Sequence, residues 1–193
     1  MTQDTTNTKD RMRPAGLEPE DADLAAETMQ EQLTALLDLS LTLKHIHWNV
    51  VGPGFLAVHE MLDAQVKQVR SMADALAERV ATLGHVPNGL AGYLANHRDG
   101  ADYALGRATV ESHLGALDLL YSDVISGHRE AAVTTEDPDP VTADVFIGQT
   151  GELEQLQWFV RAHIENTSGE VPSSREANQL DAAAVASNGE PKK

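Results

Sequence analysis

The chain has 193 residues, 41% of them apolar, and a formal charge of −16. That supports one domain with a substantial core plus extensions, and the absence of cysteine excludes a disulfide framework or a thiolate metal site. No apolar run approaches the roughly 18 residues of a membrane span, and no signal peptide opens the chain, so a soluble cytoplasmic protein is expected. Aromatic residues are few, at 4%, and the apolar supply is mostly Leu, Ala and Val. That mix favours packed helices over a sheet sandwich. A surface this acidic repels nucleic-acid phosphates and attracts cations.

Residues 1–20 are polar, with Pro14, Gly16 and Pro19 and no periodicity, and read as a disordered arm. Asp21 or Asp23 is the expected cap of a first helix over about 22–50. Leu33, Leu36, Leu37 and Leu41, with Leu39, Leu43 and Ile46 on a neighbouring face, give that helix a wide apolar surface. Such a helix packs on more than one side, as in a bundle that also assembles. His47 falls in its last turn, where an imidazole could simply answer the helix dipole. Gly52-Pro53-Gly54 then stops the helix and lets another begin.

The second helix, from Phe55 to about Leu83-Gly84, carries the strongest pattern. With Val58 set to zero on a wheel of 100° per residue, Leu62, Val66, Val69, Ala73, Leu76, Val80 and Leu83 fall within about 60° of roughly 20°. His59, Asp63, Asp74 and Glu78 form an adjacent stripe at about 100°, 140°, 160° and 200°. Carboxylates and an imidazole bordering a core are costly to bury without a compensating charge. Oxygen and nitrogen ligands of this kind suit iron or manganese. One chain cannot close such a site, because Asp63 and Asp74 lie about 16 Å apart along the axis, whereas metal–ligand bonds are near 2 Å. The two pairs, His59 with Glu78 and Asp63 with Asp74, share one midpoint at Gln68–Val69. Two copies packed antiparallel across a two-fold axis there would bring His59 to the partner's Glu78 and Asp63 to the partner's Asp74.

Beyond Gly84, residues 89–97 can form a short helix within a long connection, which a bundle needs if its next helix is not joined by a tight turn. A third long helix is expected over about 102–132, with Val110, Leu114, Leu117, Leu120, Tyr121 and Val124 inward. His45, His113 and His128 lack ligand-type company and read as structural. After Asp137-Pro138-Asp139-Pro140, a fourth helix over about 141–166 buries Phe146, Leu153, Leu156, Phe159, Val160 and Ile164. Asp137, Asp139 and Asp144 at its start suit capping and the dipole. Residues 168–193 read as a second disordered tail.

The order His47-Trp48-Asn49, then Gly52, Phe55, His59 and Asp63, then Asp74, Glu78 and Arg79 resembles the Dps proteins, the dodecameric mini-ferritins of the ferritin superfamily. The resemblance spans roughly 22–166. It implies an all-α, ferritin-like four-helix bundle over 21–167 with a short extra helix in the connection between the second and third long helices. It also implies a homo-dodecamer built from two-fold dimers. His47, His59 and Asp63 of one subunit would join Asp74 and Glu78 of another in a ferroxidase centre holding two iron atoms. Lys44 and Trp48 would line it, the indole able to absorb stray oxidising equivalents. The expected reaction is oxidation of Fe2+ to Fe3+ by H2O2 in preference to oxygen. Storage of ferric mineral would follow, with protection against oxidative stress. The family's iron entry pore at a three-fold axis gives Asp137, Asp139 and Asp144 a second reading, as an acidic funnel. Twelve copies would carry about −190.

Three rivals are weaker. Larger ferritins and rubrerythrin-like proteins build a di-iron site inside one bundle from Glu-x-x-His pairs, and no glutamate here has histidine three residues on. A nucleoid-associated, DNA-protecting role through the tails needs free basic residues. Lys9, Arg11 and Arg13 face four acidic residues in one tail, and Arg175, Lys192 and Lys193 face four in the other. A purely structural oligomer would leave carboxylates facing one another without a cation.

Overall fold

The computed structural model describes residues 13–98 and 100–188. Four long helices form the bundle: α1, Pro19–Asn49; α2, Phe55–Thr82; α4, Val110–Glu136; and α5, Pro140–Ile164. The short α3, Ala91–His97, lies in the long connection between α2 and α4, as expected. Two strands of two residues each, β1 at Val50–Val51 and β2 at Ala108–Thr109, pair in parallel. They tie the end of α1 to the start of α4.

Local chemistry sets the helix ends. Pro19 opens α1 with Glu20 and Asp21 in its first turn, where the pyrrolidine suits the helix start and the carboxylates answer the dipole. The cap position therefore falls on Glu18 rather than on Asp21 or Asp23. Gly54 caps α2 at φ 77, a left-handed conformation that a side chain would strain. At the far end Gly84 has φ 83. Its N–H donates to Ala81 O, and that of His85 to Val80 O, a Schellman ending. The third long helix starts later than its pattern suggests. Residues 108–109 are held by β1, and the Thr109 hydroxyl then caps Ser112 N at 3.3 Å.

All eight residues of the apolar stripe on α2, from Val58 to Leu83, are buried. They meet Leu36, Leu43, Leu117, Tyr121, Phe146 and Leu153 in one core. Polar side chains pin the helices inside it. Tyr121 donates to Gln65 Oε1 at 2.9 Å, and Gln149 bridges His128 Nε2 and the Met72 carbonyl. Leu41 of α1 is 53% exposed and Trp48 is 71% exposed, so part of the wide apolar surface of α1 has no cover within one chain.

The C-terminal segment differs from expectation. A disordered tail was expected over 168–193; instead a 3-10 turn, Pro172–Arg175, and α6, Gln179–Asn188, pack onto α4. The reason lies in small residues. Ala182 and Ala183 are buried, and Gly115 of α4 lies so close that an added Cβ would sit 2.6 Å from Ala186 Cβ and 2.7 Å from Ala182 O. Residues 189–193, with Lys192 and Lys193, lie outside the described residues, as do residues 1–12 of the expected N-terminal arm, with Lys9 and Arg11. No described helix is long and apolar enough to cross a membrane.

Candidate metal centre

The end of α1 and the first turns of α2 place two histidines face to face. The rings of His47 and His59 stack with centroids 3.6 Å apart and planes 20° apart. Their Nδ1 atoms are engaged reciprocally. His47 Nδ1 donates to the His59 carbonyl at 3.0 Å, and His59 Nδ1 donates to the His47 carbonyl at 2.9 Å. A carbonyl can only accept, so both Nδ1 atoms carry the proton and both Nε2 lone pairs stay free. Fixing one ring nitrogen on a carbonyl is how metal-binding histidines are commonly oriented.

Asp63 lies one turn beyond His59. Its Oδ1 lies 3.5 Å from His47 Nδ1 and 2.6 Å from Lys44 Nζ. The Lys44 ammonium bond holds the Asp63 carboxyl below the ordinary carboxylate range, against a partial desolvation that pulls the other way. The same ammonium lies 5.8 Å from the Trp48 ring centroid. Phe55 leans on His59 with centroids 5.1 Å apart. Two imidazoles and one ionised carboxylate are donor types that suit a divalent transition metal, though within one chain they are not assembled as a group that could hold one.

Asp74 and Glu78 are exposed on the outer side of α2, away from this cluster. Among the described residues no group of three or more His, Asp and Glu within one chain is assembled to hold a metal.

The acidic cluster before α5 splits. Asp137 and Asp144 are exposed, but Asp139 is only 4% exposed. It bonds Arg79 Nη2 at 2.6 Å and accepts from the Thr142 hydroxyl at 2.5 Å. Burial opposes its ionisation, but the Thr142 and Arg79 bonds outweigh it and hold the carboxyl below its usual range. Asp139 thus ties α5 to α2.

The remaining histidines named above are internal. His45 Nε2 donates to Leu105 O at 2.8 Å, His113 Nδ1 meets the Tyr103 hydroxyl at 3.0 Å, and His128 and His113 are fully buried. The Tyr103–His113 pair was missed at the sequence level. Ten residues separate the two, and no helical spacing relates them.

Fold and comparisons agree on the class. A family model described as a ferritin-like domain matches residues 26–169, so the chain is a ferritin-like protein. The DNA protection during starvation protein of Mycolicibacterium smegmatis is 48% identical over 168 residues, covering 87% of this chain and 92% of that one. The solved structure of Mycobacterium smegmatis Dps superposes with a TM-score of 0.84 at 47% identity, covering 86% of this chain and 95% of that one. DpsA14 from Streptomyces coelicolor gives a TM-score of 0.79 at 52% identity, covering 81% and 93%. The chain belongs to the Dps family.

Proposed function

We propose that this protein oxidises Fe2+ to Fe3+, with hydrogen peroxide as preferred oxidant, and stores the ferric product in a cage of twelve subunits. The observation that carries the reading is the reciprocal clasp of His47 and His59, which leaves two Nε2 lone pairs beside an ionised Asp63. These three donors make half a site. The other half is Asp74 and Glu78 of a second subunit, antiparallel across Gln68–Val69.

The ligand set is weak enough for a substrate metal. Imidazole retains ferrous ion, and carboxylates favour the ferric product. Two Fe2+ at one centre give two electrons to one peroxide, which takes two protons and leaves as two waters. No one-electron oxidant is released. Ferric ion then passes inward to mineral.

Stopped-flow oxidation with peroxide and with oxygen tests this, in wild type and Asp74→Ala. Peroxide should be faster, and Asp74→Ala should abolish the difference. A variant as fast as wild type would overturn the shared centre. For entry, Asp137 and Asp144 at a three-fold axis form the funnel, with Asp139 spent on Arg79. Asp144→Asn should slow uptake and leave the cage intact, and an unchanged rate would remove the pore.

The name of the Mycolicibacterium smegmatis relative favours a second role in DNA protection. Arg175 is paired with Glu170 here, so direct contact would be weak and salt-sensitive. A mobility shift at low salt decides it. The cytoplasm is the compartment this chemistry fits.

A further inference from the structure

We propose that Tyr103 and His113 form a proton-coupled electron donor that quenches the centre when only one iron is bound. The inference rests on the ferroxidase reading. It starts from a group which that reading does not use.

Behind α1, on the side opposite His47, three side chains are packed together. The His45 ring meets the Tyr103 ring edge-on, centroids 5.8 Å apart. The Tyr103 ring lies near-parallel to that of His113, centroids 5.9 Å apart. The phenol oxygen is 3.0 Å from His113 Nδ1. His113 is fully buried, and burial is the main influence holding its pKa below the ordinary value, so the ring is neutral. The carbonyls of Asn49 and Gly106 also act on that ring. His113 Nε2 is buried with no hydrogen-bond partner among the described residues, and in the tautomer that protonates Nε2 the phenol-facing Nδ1 is the acceptor. The phenol therefore donates to a neutral base.

That is the requirement for oxidising tyrosine at a moderate potential. An oxidised phenol is a very strong acid, so a buried tyrosine gives up its electron at moderate potential only where a base in contact takes the proton. With His113 Nδ1 in hydrogen-bond contact, electron and proton leave together, and a neutral phenoxyl remains. Burial also pushes the Tyr103 pKa up strongly, so the phenol is never pre-ionised.

The distance suits transfer. His45 and His47 are two residues apart on α1, nearly opposite on the wheel. The His45 and His47 side chains thus lie about one helix diameter apart, roughly 10–12 Å, with the Tyr103 ring centroid a further 5.8 Å from that of His45, a span electrons still cross in proteins. Trp48, 71% exposed in the single chain and beside Lys44, is the competing donor, and the type of radical formed distinguishes the two.

The need arises at half occupancy. One Fe2+ and one H2O2 would yield Fe3+, hydroxide and a hydroxyl-radical-level oxidant. Tyr103 supplies the second electron. The products are Fe3+, two hydroxides, a Tyr103 phenoxyl and a protonated His113, so charge and atoms balance.

The test is electron paramagnetic resonance on the full assembly, loaded with less than one Fe2+ per centre and frozen after peroxide. Wild type should give a tyrosyl signal that narrows with ring-deuterated tyrosine. Tyr103→Phe should lose at least nine-tenths of it, and Tyr93→Phe should keep it. His113→Gln, with Tyr103 intact, should lower the yield at least fivefold. A tyrosyl signal surviving Tyr103→Phe, or a signal of tryptophan type in wild type, overturns the assignment. If wild type forms no ferric absorbance, the ferroxidase reading has failed instead. Flash oxidation with a photoexcited ruthenium complex then tests the pair alone. A Tyr103 radical slowed in heavy water supports it, and none overturns it.

Discussion

Two histidine groups sit on opposite sides of the end of α1 and have opposite fates. On one side, His47 and His59 spend Nδ1 on each other's carbonyls and leave both Nε2 atoms open. On the other, His45 spends Nε2 on Leu105 O, and His113 is enclosed between Tyr103 and backbone carbonyls. Residue type is the same, and only two positions separate His45 from His47. What a histidine can do is set by which nitrogen its neighbours leave unclaimed and by whether solvent or a second subunit can reach it.

The contrast breaks first at the open pair. His59→Ala removes a proposed ligand and the ring stacked on that of His47, while the backbone carbonyl that accepts from His47 Nδ1 stays. It should cost more than the roughly 10–100-fold seen on losing an outer-shell partner of a metal ligand. Asp74→Ala should cost as much, although it lies about 16 Å along the helix from Asp63. Co-expression separates a shared centre from a single-chain one. A mixed dimer of the two variants has one complete centre, because each subunit supplies what the other lacks. Peroxide-driven ferric absorbance should return in the mixture and be absent from each variant alone. Two inactive parents that stay inactive when mixed would remove the two-fold arrangement.

The closed group should respond in stability rather than turnover. His113→Leu leaves the Tyr103 hydroxyl with only a 3.4 Å contact to the His113 carbonyl, a loss of about 1–3 kcal/mol for a buried polar group. The pH dependence has a fixed sign. The folded pKa of His113 lies below its ordinary value because burial disfavours the cation. Below about pH 6.5 the unfolded chain therefore takes up the proton first, and wild type loses stability as pH falls from there towards the folded pKa. The variant lacks that proton, so the gap between the two should narrow in acid. His128, lowered mainly by the same cause, keeps some slope in both. Urea denaturation at about pH 8 and about pH 5 measures it, while the oxidation rate at full iron loading stays within about twofold of wild type.

The open side was legible in the sequence and the closed side was not. The stripe on α2 follows from a 3.6-residue period, and every residue assigned to its buried face is buried. The clasp of His47 on His59 depends on the Gly52-Pro53-Gly54 break, whose positive φ at Gly52 and Gly54 folds α2 back on α1. The break was readable, though its consequence for the ring nitrogens was not. Tyr103 reaches His113 across an irregular segment that ends in β2, a strand too short to leave a periodic signature. The docking of α6 was missed because its contact is made by alanines against Gly115, and such a surface looks featureless in composition. One signal was present. Asn178 caps Asp181 N at 2.9 Å, and Asn three residues before an acidic side chain marks a helix start.

The smallest expected effect lies at the boundary between the two groups, at Lys44. Its ammonium bonds Asp63 Oδ1 and is the main reason that carboxyl ionises more readily than an ordinary one. On the proposed reading ferrous ion competes with protons for Asp63, so the acid limb of the oxidation profile should follow this ionisation. Lys44→Met removes the bond and lets the Asp63 pKa rise, so the limb should move to higher pH, while Lys44→Arg should hold it near its wild-type position. At neutral pH Asp63 stays ionised in all three proteins, so the rates there should differ little. Lys44→Met also removes a cation beside the incoming Fe2+, which favours binding and acts against any neutral-pH loss. A limb that does not move in Lys44→Met would mean that another group sets it and that Asp63 is not where proton and iron compete.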